Sequence, residues 1–216
     1  MSDRDEEGRR IWDISQPLRP GLPVWPGDTA YAEELTWALD EACPVNVSRI
    51  TLSTHTGAHA DAPLHYDPAG EPIGQVSLAP YLGRAQLLDV GPGPERIALS
   101  EVEGRLAPGV RRLLLRTYDR FPHQAWRSDF RSPSVELIDW LGAQGLVLIG
   151  LDSPSMDPET AKDLVGHKAV RRWRMAILEG LVLDDVPEGT YELIAPPLNL
   201  ANADAAPVRA VLRELA

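Results

Sequence analysis

The sequence is poor in cross-linking residues: among 216 residues there is one cysteine, Cys43. A single thiol excludes an intrachain disulfide and any cysteine cage for zinc. Basic residues are also in deficit, with 21 Lys and Arg against 32 Asp and Glu, for a net charge of −11. A surface of that sign repels phosphate backbones and anionic lipid, which argues against nucleic-acid and membrane-surface roles. Apolar runs such as Leu146–Leu151 are far shorter than the ~20 residues a bilayer span needs, and this one reads as a strand buried on both faces. The opening MSDRDEEGRR has no apolar core of the kind a secretory signal carries, so a cytoplasmic location is expected. Phosphate-binding loops, the dinucleotide fingerprint and the GxSxG nucleophile elbow are absent, as are repeats, heptads and low-complexity tracts.

What remains is ordinary globular composition, 44% hydrophobic and 25% charged, punctuated by 17 glycines and 20 prolines. That density of turn formers predicts short elements rather than a helical bundle. Residues 1–10 read as a solvated, charged tail ahead of a single domain over residues 11–216. Strands are expected at Ile11–Ile14, at Val45–Leu52 with a bulge, at Ala85–Val90, Arg112–Arg116 and Leu146–Leu151, and near Met175–Leu178 and Tyr191–Ile194. One helix is expected over Pro133–Ala143, capped by Ser132, and a short one after Pro158 that stops at Gly166. The result is a mixed α/β domain with few helices. Pro17–Asp28 is a proline-stiffened loop whose Trp25 wants burial or a ligand.

Three of the five histidines fall within eleven residues, His55, His59 and His65, with Asp61 among them. Gly57 and Pro63 disfavour a helix there, but a loop leaving a strand end can aim two imidazoles at one point. The small spacers Thr56, Gly57, Ala58, Ala60 and Ala62 let backbone close around an ion. Two neutral imidazoles and a carboxylate suit zinc or manganese, and a position left open would make the site catalytic. The competing reading is three surface histidines on a polar loop. Glu179 stands alone in the apolar stretch Met175–Leu183. A carboxylate buried there must be protonated, paired (with Arg172 or Arg174, for example) or coordinated to a metal. His167 by itself reads as a capping or surface histidine, and His123 as a loop residue. Asp152, Ser153 and Asp157 are polar residues close enough to orient His167.

The run His55-x-Gly57-x-His59-x-Asp61-x-Pro63-x-His65 resembles the signature of the cyclase-like metal-dependent hydrolases. Trp12–Asp28, Asp152–Lys162, Ile177–Val186 and Tyr191–Leu212 narrow the resemblance to the bacterial kynurenine formamidases, or arylformamidases. The resemblance implies a swivelling β/β/α fold, usually homodimeric, and hydrolysis of N-formyl-L-kynurenine to L-kynurenine and formate in tryptophan breakdown. It implies two zinc ions, with manganese an alternative: His55, His59 and Asp61 at the first, His167 at the second, and Asp61 and Glu179 bridging. It also implies His65 as general acid/base, with a fourth ligand as the other reading, and Trp25 against the substrate ring. Hydrolysis of a related aryl amide such as isatin, and a non-catalytic metal- or metabolite-binding module, are the alternatives.

Overall fold

A computed structural model describes residues 2–216. In chain order its strands begin with β1 (Ser2–Arg4), β2 (Arg10–Asp13), β3 (Ala32–Trp37), β4 (Val47–Thr51) and β5 (His59–Asp61). They continue with β6 (Leu82–Asp89), β7 (Arg96–Ile97), β8 (Arg112–Arg116) and β9 (Ser132–Pro133). Then come α1 (Val135–Ala143), β10 (Leu148–Leu151), α2 (Val165–Trp173), β11 (Ala176–Glu179), β12 (Gly189–Ile194), β13 (Ala205–Pro207) and β14 (Val211–Arg213). Ten strands form one mixed sheet in the order β1-β2-β14-β12-β6-β8-β10-β11-β5-β13. Neighbours among β6, β8, β10 and β11 run parallel, and every other pair in this sheet is antiparallel. None of the described helices is long and apolar enough to cross a membrane.

Period-two alternation explains the layers. Along β8, Leu113 and Leu115 pack with Leu137, Ile138 and Leu141 of α1 and Ala169 and Val170 of α2, while Leu114 packs on the opposite face with Tyr81, Leu178 and Leu193. Burying both faces of the parallel strands makes them almost continuously apolar, which is why Leu148–Leu151 reads as one hydrophobic run.

Several expectations need correction. The charged head of the chain is folded back, with β1 paired on β2. Its charges staple the turn: Asp5 accepts from the Arg9 backbone and from Arg9 Nε, and Gly8 supplies the positive φ of +79°. Helix α1 is capped by Ser134, whose hydroxyl accepts from Leu137 N, while Ser132–Pro133 bridges to β7. Where a short helix is expected to stop at Gly166, α2 instead starts at Val165, with Gly166 in its first turn. Asp157 accepts from Gly166 N and His167 N and so caps the start of α2. The bulge expected in β4 lies on its partner, between Leu35 and Trp37 of β3. The alternation of Val45, Val47 and Ile50 signals an apolar face, yet the whole β3–β4 hairpin is exposed, Trp37 at 60% and Ile50 at 53%.

One close approach ties this frame to the cavity beside it. Gly180 follows β11 with φ +65°, and a Cβ there would lie 2.6 Å from the Gly57 carbonyl oxygen. Gly180→Ala is therefore expected to lower stability by about 1–3 kcal/mol, since it combines left-handed strain with a backbone clash. Urea unfolding measures this directly, and an unchanged midpoint would refute the constraint.

Candidate active site

Strand pairing brings the chemistry together. His59 and Asp61 are two apart on β5 and share a face, and the antiparallel register sets Glu179 of β11 directly opposite His59. Both carboxylates are buried, with side-chain exposures of 0% for Asp61 and 3% for Glu179. His55 comes from the turn before β5, and His65 from the single 3-10 turn Pro63–His65 after it, with Pro63 in its first position. His167 arrives from the first turn of α2, against the same strands.

The two carboxylates share their oxygens between two groups of imidazoles. Asp61 Oδ1 is 3.1 Å from His55 Nδ1 and 3.5 Å from His59 Nε2, while its Oδ2 is 3.4 Å from His167 Nε2. Glu179 Oε2 is 3.3 Å from His59 Nε2, and its Oε1 is 3.8 Å from His167 Nε2. Oε1 also accepts from Met156 N, so the pairing with Arg172 or Arg174 considered from sequence is not what holds Glu179; Arg172 pairs with Asp139.

The outer ring nitrogens are already committed. His59 Nδ1 donates to the Gly57 carbonyl at 2.8 Å, and His167 Nδ1 lies 2.8 Å from Asp157 Oδ2. In neutral rings so held, the Nε2 lone pairs face carboxylate oxygens, acceptor against acceptor. His59 Nε2 and both oxygens of Asp61 are buried without a hydrogen-bond partner. Only protons or a cation between them resolve that repulsion. A tetrahedral metal with ~2.0–2.1 Å bonds has donor–donor edges of about 3.3 Å, close to the separations above. Further donor atoms, those of His55, His65 and Asp204, gather within 4.8 Å of one another. The cluster fits metal binding.

The electrostatics point the same way. Burial pushes His55 down, but the carboxylates of Asp61 and Asp204 beside it outweigh it and raise the ring to about 9. Burial likewise lowers His167, and Asp157, Asp61 and Glu179 raise it to about 10. Burial works against charge on Asp61, yet the imidazoles of His167, His55 and His59 beside it hold its carboxyl well below the usual carboxylate range. The site thus favours positive charge, and a bound dication would displace those protons.

Of the polar residues named beside His167, Asp157 alone holds its ring. Asp152 instead accepts from Thr117 N, Thr117 Oγ1 and Tyr118 N, while burial raises its carboxyl to about 7. Ser153 Oγ is buried without a partner. Sequence reasoning missed Asp204. Its Oδ2 is 3.0 Å from His55 Nε2 and 3.3 Å from His65 Nδ1, and its Oδ1 accepts from Thr54. No spacing signals that contact across 149 residues.

The imidazoles open into a cavity of about 330 Å³. Trp25 lines it and meets Trp126 edge-on, with ring centroids 5.3 Å apart. Phe121, Pro23, Val24 and Leu164 extend this apolar wall. Leu164 is held in the left-handed region at φ +47°, strain of a kind that gathers at functional sites. His123 stays outside the cluster, tilted against Phe121.

Residues 12–158 match the model of a family described as "Cyclase: Putative cyclase". The chain is 52% identical over 206 residues to a protein named kynurenine formamidase from Maricaulis maris, covering 95% of this chain and 99% of that one. It is 50% identical over 210 residues to another of that name from Erythrobacter litoralis, covering 96% and 95%. Among solved structures, one titled a potential metal-dependent hydrolase with cyclase activity superposes with a TM-score of 0.83 at 26% identity, covering 96% and 99%. Isatin hydrolase A from Labrenzia aggregata shares the fold, with a TM-score of 0.80 at 22% identity and coverage of 95% and 94%. The chain belongs to the cyclase family, and within it resembles the kynurenine formamidases.

Proposed function

We propose that the protein hydrolyses N-formyl-L-kynurenine to L-kynurenine and formate, with two zinc ions held between its shared carboxylates. The observation that carries this reading is the division of Asp61 and Glu179, each turning one oxygen towards His59 and the other towards His167. His55, His59 and Asp61 would hold one ion and His167 the other, with Asp61 and Glu179 bridging. Manganese would accept the same donors. Similarity to two proteins named kynurenine formamidase supports the substrate.

When bound, such a pair lowers the pKa of water towards about 7 and offsets charge on a developing oxyanion. The chain's own residues supply the rest. Trp25 and the wall around it take the aryl ring and exclude water from one side. Asp204, beside His65 Nδ1, holds that ring so that its other nitrogen can carry the travelling proton. His65 takes a proton from the attacking water and delivers it to the aniline nitrogen as the C–N bond breaks. Tryptophan breakdown is then the setting. The cytoplasm is the compartment, where a chain whose single cysteine forms no intrachain disulfide loses nothing by reduction. The exposed β3–β4 hairpin supports a homodimer. Leu35, Trp37, Leu39 and Ile50 are each more than half exposed, apolar surface that a second copy of the chain would cover.

Exhaustive chelation should abolish formate release from N-formylkynurenine, and zinc or manganese should restore it, as followed by metal analysis and a formate assay on one preparation. Turnover that survives quantitative metal removal, or faster turnover of isatin than of N-formylkynurenine, would overturn the reading. His65→Ala should lower kcat by about 10²- to 10⁴-fold while the metal content stays that of the wild type. Loss of metal in that variant would make His65 a ligand. Trp37→Glu should convert a dimer to a monomer in light scattering, and a wild type already monomeric at micromolar concentration would refute the dimer.

A further inference from the structure

The cavity wall carries charge that neither the metal cluster nor the aromatic packing uses. Among the described residues, Arg127 is the only arginine or lysine lining the cavity, in a chain of net charge −11. It follows Trp126 directly, and its Nε and one terminal nitrogen pair with Asp129, which supports the cationic form. Its second terminal nitrogen is engaged by no other described residue.

Three acidic residues line the same cavity, and two are already occupied. Asp152 takes its hydrogen bonds from Thr117 and Tyr118, and Glu179 belongs to the cluster between His59 and His167. The third is Asp28, at the end of the turn closed by its own N–H donating to the Trp25 carbonyl. Its Oδ1 accepts from Thr29 N, and among the described residues its Oδ2 accepts from none. The cavity therefore offers, next to one tryptophan of the wall, an arginine with one terminal nitrogen still free, and, three residues past the other, a carboxylate with one oxygen still free.

We infer that Arg127 and Asp28 form a clamp for a zwitterionic α-amino-acid tail, Arg127 receiving the carboxylate and Asp28 the ammonium. This rests on the formamidase reading and adds what selects among N-formyl aryl amines. Such a tail carries both charges on one carbon, so a site with paired opposite charges binds it without a net change in a pocket already rich in carboxylate. A bare formanilide fills the aromatic wall but leaves both groups without a partner.

The test compares N-formylkynurenine with 2-formamidoacetophenone, which keeps the ring, ketone and formamide but has no amino-acid tail. In the metal-loaded wild type, kcat/KM should favour the tailed substrate. Arg127→Ala should shrink that preference roughly 10- to 100-fold, through KM rather than kcat, as expected for loss of a charged hydrogen bond that binds ground and transition states alike. Arg127→Lys should restore part of it, because the charge returns without the planar fork. Asp28→Asn should shrink the preference in the same way, but should not alter the handling of a deaminated substrate that retains the carboxylate. A substrate preference unchanged within about twofold in Arg127→Ala and Asp28→Asn overturns the clamp while the formamidase reading stands. Failure of the wild type to release formate from either substrate overturns that reading, and the clamp with it.

Discussion

The structure depends on holding two carboxylates side by side inside the sheet. Asp61 and Glu179 lie on adjacent strands with no lysine or arginine in contact, and their neighbours at hydrogen-bonding range are imidazoles and one backbone N–H. An isolated buried carboxylate costs several kcal/mol, so two that share a face are tolerated only where positive charge comes between them. The antiparallel register of β5 on β11 makes that arrangement. A slip of one residue would turn His59 and Asp61 to the opposite face and leave Glu179 with apolar neighbours. The same pairing places Ala60, the small residue between the two, in the dry core with Leu178 and Ala206. Alternation along three residues thus separates chemistry from packing.

The imidazoles are fixed from behind by groups other than the two shared carboxylates. The Gly57 carbonyl, Asp157 and Asp204 each hold one ring nitrogen of His59, His167 and His55. Asp157 also caps α2, so the bond that starts the helix is made by the same carboxylate that sets the ring. Local stability and site geometry are therefore coupled at that residue. The left-handed Leu164 lies just before it, where the chain must turn sharply from the cavity wall into the helix.

What was legible in the sequence follows from how far apart the interacting groups lie. His55, His59, Asp61 and His65 were readable because they sit on one short segment whose small spacers suit close packing. Glu179 was readable because a carboxylate in an apolar strand demands an explanation, although nothing local names its partners. Asp204 was not, since its role exists only once β13 pairs with β5 and carries the residue before it to the His55 ring. Helix α2 was misplaced because Gly166 reads as a stop; with Asp157 accepting from its N–H, the glycine instead belongs to the first turn. A Cβ at Gly166 would come within 2.4 Å of the Met156 carbonyl, so the glycine serves packing there rather than termination. The β3–β4 hairpin shows the remaining limit. Alternation reveals that a face is apolar, and is silent about whether the chain's own core covers it.

The two halves of the cavity come from different kinds of structure. Donor atoms come from strands, a helix and the turns flanking them, and those of His59, Asp61, His167 and Glu179 are buried, where register and packing fix their positions. The aromatic wall comes from connecting segments, the proline-rich stretch around Trp25 and the stretch carrying Phe121 and Trp126. Prolines restrict φ in these connections and lower the entropy lost when the wall forms, so a loop can present rigid rings without a strand beneath it. A scaffold divided this way can change what it accepts by exchanging loops while the strand positions stay put. That division fits a fold shared with an isatin hydrolase at 22% identity, where likeness of architecture outlasts likeness of sequence. On the reading proposed above, the loops select the substrate and the residues of β5 and β11 hold the metal, so variants of the wall should act on binding and variants of those strands on turnover.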